Sequence, residues 1–352
     1  MLKNLLNKLK ISLKRLLGKS VYACTYSKDF IKKSFKHKNK SPKNNKLTSY
    51  FSNIFKKRKF GFLAIFGVIF IYYGLGLIIS SKINTNLEYK LTAPNNTRYT
   101  TNALTYTLKT QVDDVQWTPA LPIIFPAYFL DNLPSFQIGT KDAVKYLVKK
   151  MSAFYVDSEL KKAGELLNYA PNIWLFSKTN DDTLAPGSAK QYRKALALLN
   201  TFSTKQSALY PLDIKELKYF LNSLDSLLDI NIQNLDKHIR EHSSDLINNN
   251  ADNIFYSTKG NAFVIYYTIK GLTKDYQDQI VEAELYDDIT TILKNLETAL
   301  NFNPISIKNS SPEDVYSANH LIYLAYFLSQ AQNKLKDVSY NFELKTREII
   351  KW

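Results

Sequence analysis

Residues 217–239 read LKYFLNSLDSLLDINIQNLDKHI. Leu217, Leu221, Leu224, Leu228, Ile232, Leu235 and Ile239 follow one another at steps of three and four. A helix turns once every 3.6 residues, so these side chains form one stripe along it. That spacing is a bundle or coiled-coil seam, and a strand would show alternation instead. The helix is expected to start after Pro211 and to break at Asn248-Asn249-Asn250. Downstream the same periodicity predicts helices over about 252–270, 274–301 and 313–337. Upstream, Ser188 starts a helix carrying Tyr192, Ala195, Leu196, Leu199 and Phe202, and Leu160, Ala163, Leu166 and Leu167 mark another. Thr140 is read as the cap of a helix with Ala143, Val144, Leu147, Met151 and Phe154 on one face. Thr101 is read as the cap of a helix with Leu104, Leu108 and Val112, although its Thr and Tyr content leaves a strand open. Residues 113–137, with Pro119, Pro122, Pro126 and Pro134, read as irregular.

Ahead of the helices lies Phe60–Ser81, FGFLAIFGVIFIYYGLGLIISS, which contains no charge. A helix of that length spans about the ~30 Å hydrocarbon core of a bilayer. Lys56, Lys57, Arg58 and Lys59 abut its N-terminal end, and Lys82 alone follows closely. The positive-inside rule then puts residues 1–59 in the cytoplasm and 82–352 across the membrane. The run lies too far along the chain for a cleaved signal peptide and reads as a signal anchor. The expected fold class is all-α, a single N-terminal transmembrane helix followed by a periplasmic helical bundle. Its parts are a basic arm over 1–59, the span over 60–81, a stalk and Pro-containing lead-in over 82–137, the bundle over 138–338 and a tail over 339–352.

The net charge of +16 belongs to the arm. Residues 1–59 carry 18 Lys+Arg and one acid, Asp29, whereas the remainder carries 29 basic and 30 acidic residues. Within 1–17, leucines at helical spacing face Lys3, Lys8, Lys10, Lys14 and Arg15. Such a helix lies in a membrane interface and meets anionic lipid through its cations. A basic segment could also serve nucleic acid, but its position beside an apolar span favours lipid. The single cysteine, Cys24, falls in the arm, so the translocated part enters an oxidising compartment without thiols and without disulfides.

Few constellations suggest chemistry. His238-Ile239-Arg240-Glu241-His242 is an H-x-x-E-H, whose imidazoles share a helical face and could hold zinc while Glu241 activates water. It sits at the polar end of its helix, where an exposed face is the plainer reading. His320 follows Asn319 on a largely apolar helix and reads as a hydrogen-bonded core residue. Asp131-Asn132 reads as a turn or cap. Glu282 with Glu284, and Asp287 with Asp288, read as solvated surface. Phosphate-cradling, dinucleotide, nucleophile-elbow and CxxC motifs are absent. No cofactor is expected.

Four segments in order carry a resemblance. They are Leu130-Asp131-Asn132-Leu133-Pro134-Ser135-Phe136 with Gly139; Trp174 with Pro186 and Tyr192; Asp252-Asn253-Ile254-Phe255-Tyr256 with Gly260 and Ala262; and Asn303-Pro304, Asn309, Asn319-His320 with Ala325-Tyr326 and Ala331. Together they resemble the uncharacterised bacterial inner-membrane family catalogued as domain of unknown function 2333, over most of residues 60–340. The resemblance implies one membrane helix and a helical periplasmic domain, with no established activity. It singles out Asp131, Asn132, Asp252, Asn319 and His320, while the H-x-x-E-H lies outside it. The resulting expectation is a non-enzymatic envelope scaffold or interaction module, whose partners are the bilayer, anionic lipid and other envelope proteins. The alternatives are a periplasmic hydrolase with zinc at His238 and His242, and an accessory subunit of a transport or secretion complex.

Overall fold

A computed structural model describes residues 65–78, 83, 85–93, 97–178, 184–243, 250–311, 313–314 and 318–349. The amphipathic stretch 1–17 with its Lys3, Lys8, Lys10, Lys14 and Arg15, and the cluster Lys56–Lys59, lie outside them. The chain divides into two units, Met1–Val68 and Ile69–Trp352. Of the apolar run, residues 65–78 are described, and all are helical. Among the described residues no helix is long and apolar enough to cross a membrane.

The second unit is mostly helical, in the order α1 (Tyr99–Lys109), α2 (Asn132–Tyr155), α3 (Ser158–Leu167), α4 (Ser188–Leu209), α5 (Ile214–His242), α6 (Ala251–Asp275), α7 (Gln277–Glu282), α8 (Tyr286–Asn301) and α9 (His320–Ile349). A hairpin of β1 (Phe176–Lys178) and β2 (Leu184–Pro186) precedes α4, with Ser177 opposite Ala185. The seam of α5 is buried except at Ile232, which is partly covered. Helix α6 is the centre. It packs on α1, α2, α5, α8 and α9, and every residue from Ala262 to Ile269 is buried. A helical stretch without charge on any side requires such surroundings.

Several boundaries differ from the sequence reading, each for a local reason. Helix α2 starts at Asn132, not Thr140, because Asp131 caps it and Pro134 occupies the first turn, where backbone N–H groups have no helical partner. Thr140 is a buried mid-helix residue whose hydroxyl donates to the Phe136 carbonyl at 3.0 Å. The lead-in is no stalk: α1 is buried against α6, and Trp117 is a core residue donating to the Pro171 carbonyl. Gln137 ties this segment down by accepting from the Thr118 amide at 2.9 Å and donating to the Gln116 carbonyl at 2.8 Å. Thr101 does not cap α1. Asp275 does so from the end of α6, accepting from the Tyr99 and Thr100 amides at 2.8 Å each. The expected helix 274–301 is two, since Glu284 adopts φ 54° and turns the chain between α7 and α8. The last helix begins at His320, where Asn319 accepts from the Ile322 amide at 2.9 Å. It runs through Ile349, so much of the expected tail continues it.

Below the start of α1 sits a buried polar knot. The Arg98 guanidinium pairs with Glu216 on α5 and donates to the Tyr210 carbonyl. Tyr155, at the end of α2, donates to Glu216 and accepts from Gln206 of α4 at 3.0 Å. Three helix ends thus meet at one carboxylate, and the end of α4 joins them through Tyr155 and Arg98. Removing one partner of a buried pair strands the other charge, at a cost of about 3–5 kcal/mol. Urea melts of Arg98→Met should show a loss of that order, with Arg98→Met/Glu216→Leu recovering most of it. Equal losses in the single and double variants would mean that the pair is not what holds these ends.

Candidate functional site

Helices α2 and α6 touch backbone to backbone near their N-termini. A Cβ on Gly139 would lie 2.0 Å from the Ser257 carbonyl oxygen, and one on Gly260 would lie 2.2 Å from that of Phe136. Only glycine permits this approach. The contact carries both N-termini to one end of the fold, where the Ser135 hydroxyl donates to Asn253 at 2.7 Å. Two segments far apart in sequence, around Asp131 and Asp252, therefore become one surface.

A cleft of about 390 Å³ opens there, lined by Asp131, Asn132, Asp252, Tyr256, Ile305, Ser306 and Ile307. Asp131 and Asp252 each accept from the amide of the following residue, at 2.9 Å. Burial raises the Asp252 carboxyl above its ordinary range, and the nearby Asp131 charge and hydrogen bond add to this against the opposing Asn253 amide. Burial likewise raises the Tyr256 phenol, with both aspartates contributing. The arrangement favours a proton shared between two carboxyls or a cationic group bound between them.

One turn further along α6 lies Lys259, only 1% exposed. Its ammonium donates to the Phe302 carbonyl at 2.9 Å and to Asn303 Oδ1 at 2.7 Å, and it lies 5.6 Å from the Phe255 ring centroid. Both oxygen partners are neutral, and burial pushes its pKa down to about 8. Lys259 therefore holds the start of the α8–α9 loop over the aspartate cleft. The rest of the loop is held by Asn319, which donates to Asn309 Oδ1 at 3.0 Å, and by His320, whose Nδ1 accepts from the Lys308 amide at 3.1 Å. His320 is half-buried at the helix start, against the Phe302 ring, and is not a core histidine. Burial and the neighbouring Lys308 lower its pKa.

His238 and Glu241 of the H-x-x-E-H line a second, wider cleft of about 530 Å³ between α2, α5 and α6, shared with Asp142, Lys145, Asn231, Lys237, Ser257 and Asn261. His238 is buried, which corrects its reading as an exposed helix end. The α8–α9 loop covers that end of α5, with Asn309 donating to the His238 carbonyl at 3.4 Å. His242 is half-buried, its ring centroid 4.7 Å from that of His238, and Glu241 is exposed. Among the described residues no group of three or more His, Cys, Asp or Glu is placed to hold a metal ion.

Sequence reasoning thus named Asp131, Asn132 and Asp252, which share a cleft, and Asn319 and His320, which hold the loop beside it. It missed Lys259. The signal was available as a cation between Thr258 and Gly260, on the side of the helix away from its Asn253, Ser257 and Asn261 stripe. No protein-family model, no curated protein and no solved structure matches this chain.

Lys259 has a pH signature. Its folded pKa of about 8 lies below the ordinary value of 10.5, so at pH values between these the unfolded chain binds the proton more readily. Stability gained from this group rises with pH across that window and is absent below it. The stability of the native chain relative to Lys259→Met should therefore climb between pH 8 and 10.5, by up to about 3 kcal/mol. Urea melts at several pH values read this directly, and a flat difference would show that the ammonium is not buried as described.

Proposed function

We propose that this chain is a non-enzymatic scaffold or interaction module of a bacterial inner membrane. In this reading residues 60–81 anchor it, and its helical domain stands on the periplasmic side and binds other envelope proteins. The observation that carries the reading is the helix of residues 65–78. It contains no charge, and most of its large apolar side chains are exposed, Phe66 and Phe70 by 70% and 71%. Such a helix is stable where its surroundings are apolar, in a protein core or in lipid. The run continues without charge on both sides of the described part, and Lys56–Lys59 give it an orientation. The likeness of the four segments to domain of unknown function 2333 supports the same arrangement. So does the basic arm, whose leucine and lysine pattern suits anionic lipid.

The aspartate cleft fits docking better than catalysis. Its carboxyls serve as a cap and a first-turn residue, and its rim of Ile305, Ser306 and Ile307 offers a surface for contact. A hydrolase is a second reading, favoured by His238 and Glu241 sharing the cleft of about 530 Å³.

Localisation tests the proposal. Produced in a Gram-negative bacterium, the full chain should stay with membranes through alkaline extraction. In spheroplasts, protease added outside should degrade the helical domain while the arm survives. Recovery of the chain in the soluble fraction, or digestion only after the inner membrane is broken, would overturn it.

A further inference from the structure

The segment 117–130, WTPALPIIFPAYFL, is also free of charge. Pro126–Phe129 forms a 3-10 turn, and Ile123, Ile124, Tyr128 and Phe129 are each more than half exposed. Beside them the Phe125 ring meets Trp174 edge-on at 6.0 Å, adding the exposed Trp174 and Phe176 to the patch. Surface apolar residues are ordinary when scattered, but a contiguous aromatic and aliphatic patch marks an interaction site.

The chain itself indicates the partner. The apolar helix is bonded to this segment: the Tyr72 hydroxyl donates to the Ile124 carbonyl at 3.2 Å and the Tyr73 hydroxyl to the Ile123 carbonyl at 2.9 Å. The Tyr73 ring lies edge-on to Phe129 at 5.6 Å, and Gly76 leaves room for the Pro126 ring, which a Cβ would meet at 2.3 Å. Whatever surrounds residues 72–76 therefore surrounds this turn as well. Part of the segment's backbone is also satisfied internally. Pro119, Pro122 and Pro126 have no N–H to satisfy, and the amides of Phe125, Tyr128 and Leu130 donate within the segment at 2.9–3.1 Å. Lipid offers backbone groups no partner, so each such pairing lowers the cost of entering it.

We infer that Ile123–Phe129, with Trp174 and Phe176 at its edge, inserts into the bilayer leaflet on the domain's side, next to the anchoring helix. This rests on the proposed membrane anchor. A span starting at Phe60 reaches Tyr72 after about 18 Å and Gly76 after about 24 Å, so these lie roughly 12 and 6 Å short of the far edge of a ~30 Å core. A turn bonded to Tyr72 and Tyr73 and packed on Gly76 lies between those depths, overlapping the roughly 5–10 Å that interfacial apolar groups occupy. Tyr128 and Trp174 are of the types that populate such interfaces. The wedge fixes how the domain stands on the membrane and so which surface it turns to partners.

Spin labels test this in the full chain reconstituted in phospholipid vesicles. With Cys24→Ser, single labels go at Phe70→Cys in the anchor, at Ile124→Cys and separately Tyr128→Cys in the wedge, and at Lys294→Cys on the exposed face of α8. Circular dichroism checks each variant's fold. The measurement is relaxation by oxygen, which concentrates in lipid, against a water-soluble nickel chelate. The expected result is an oxygen-to-nickel ratio at 124 and 128 close to that at 70 and several-fold above that at 294. Lipid exposure at 70 with water exposure at 124 and 128 would leave the anchor standing and overturn the wedge. Shielding of 124 and 128 from both reagents would mean that protein covers the patch, and would also overturn it. Water exposure at 70 would refute the anchor, and the ratios at 124 and 128 would still decide the wedge.

Discussion

The backbone contact between α2 and α6 is the constraint from which the rest of this unit follows. With hydrogen in place of a side chain at Gly139 and Gly260, each helix rests on a carbonyl of the other. Close-packed interiors do not tolerate an added methyl there without movement of the backbone. Because the two helices meet near their N-termini, the residues that begin them, Asp131 and Asp252, meet as well. The loop between α8 and α9 then closes over that end through Lys259, Asn309, Asn319 and His320. The aspartate cleft is thus a consequence of packing before it is a site of recognition.

The opposite ends of the same helices are joined by different physics. Where α2 and α6 finish, Glu216 gathers Arg98 and Tyr155, and Asp275 caps α1. Apolar packing is permissive about register, whereas a buried charge is costly unless its partner is in place. The ion pair therefore favours one arrangement of helix ends among the several that the leucine stripes would allow. Contact through glycine at one end and charge at the other leaves α6 little freedom to slide or rotate, which suits a domain that presents a fixed surface.

Much of this architecture was legible in the sequence. The stripe from Leu217 to Ile239 and the start at Ser188 appear as read, because periodicity and local chemistry act through neighbours along the chain. Boundaries failed where a longer-range partner decided them. Thr140 resembled a cap, but Asp131 had already capped the helix and the Thr140 hydroxyl bonds back to Phe136. Thr101 resembled another, but the carboxylate that caps α1 comes from Asp275, 175 positions from Thr100. A bend carried by a non-glycine residue, Glu284, leaves no composition signal. His238 and His320 were read in each other's environments for the same reason: what covers a helix end is a loop, and periodicity does not describe loops. For the candidate site, the residue types around Asp131 and Asp252 were noticed, but only the crossing of α2 and α6 makes them neighbours.

The most direct measurement on the central contact is a double-mutant cycle at Gly139 and Gly260, read by urea melts of the full chain. If the backbones touch, each single Ala substitution forces them apart and costs at least the 1–3 kcal/mol typical of overpacking. The second substitution then costs clearly less than it does alone, because the gap is already open, which gives a coupling well beyond ~0.5 kcal/mol. Two near-neutral substitutions whose effects simply add would contradict the contact, and with it the explanation of why Asp131 and Asp252 share a cleft.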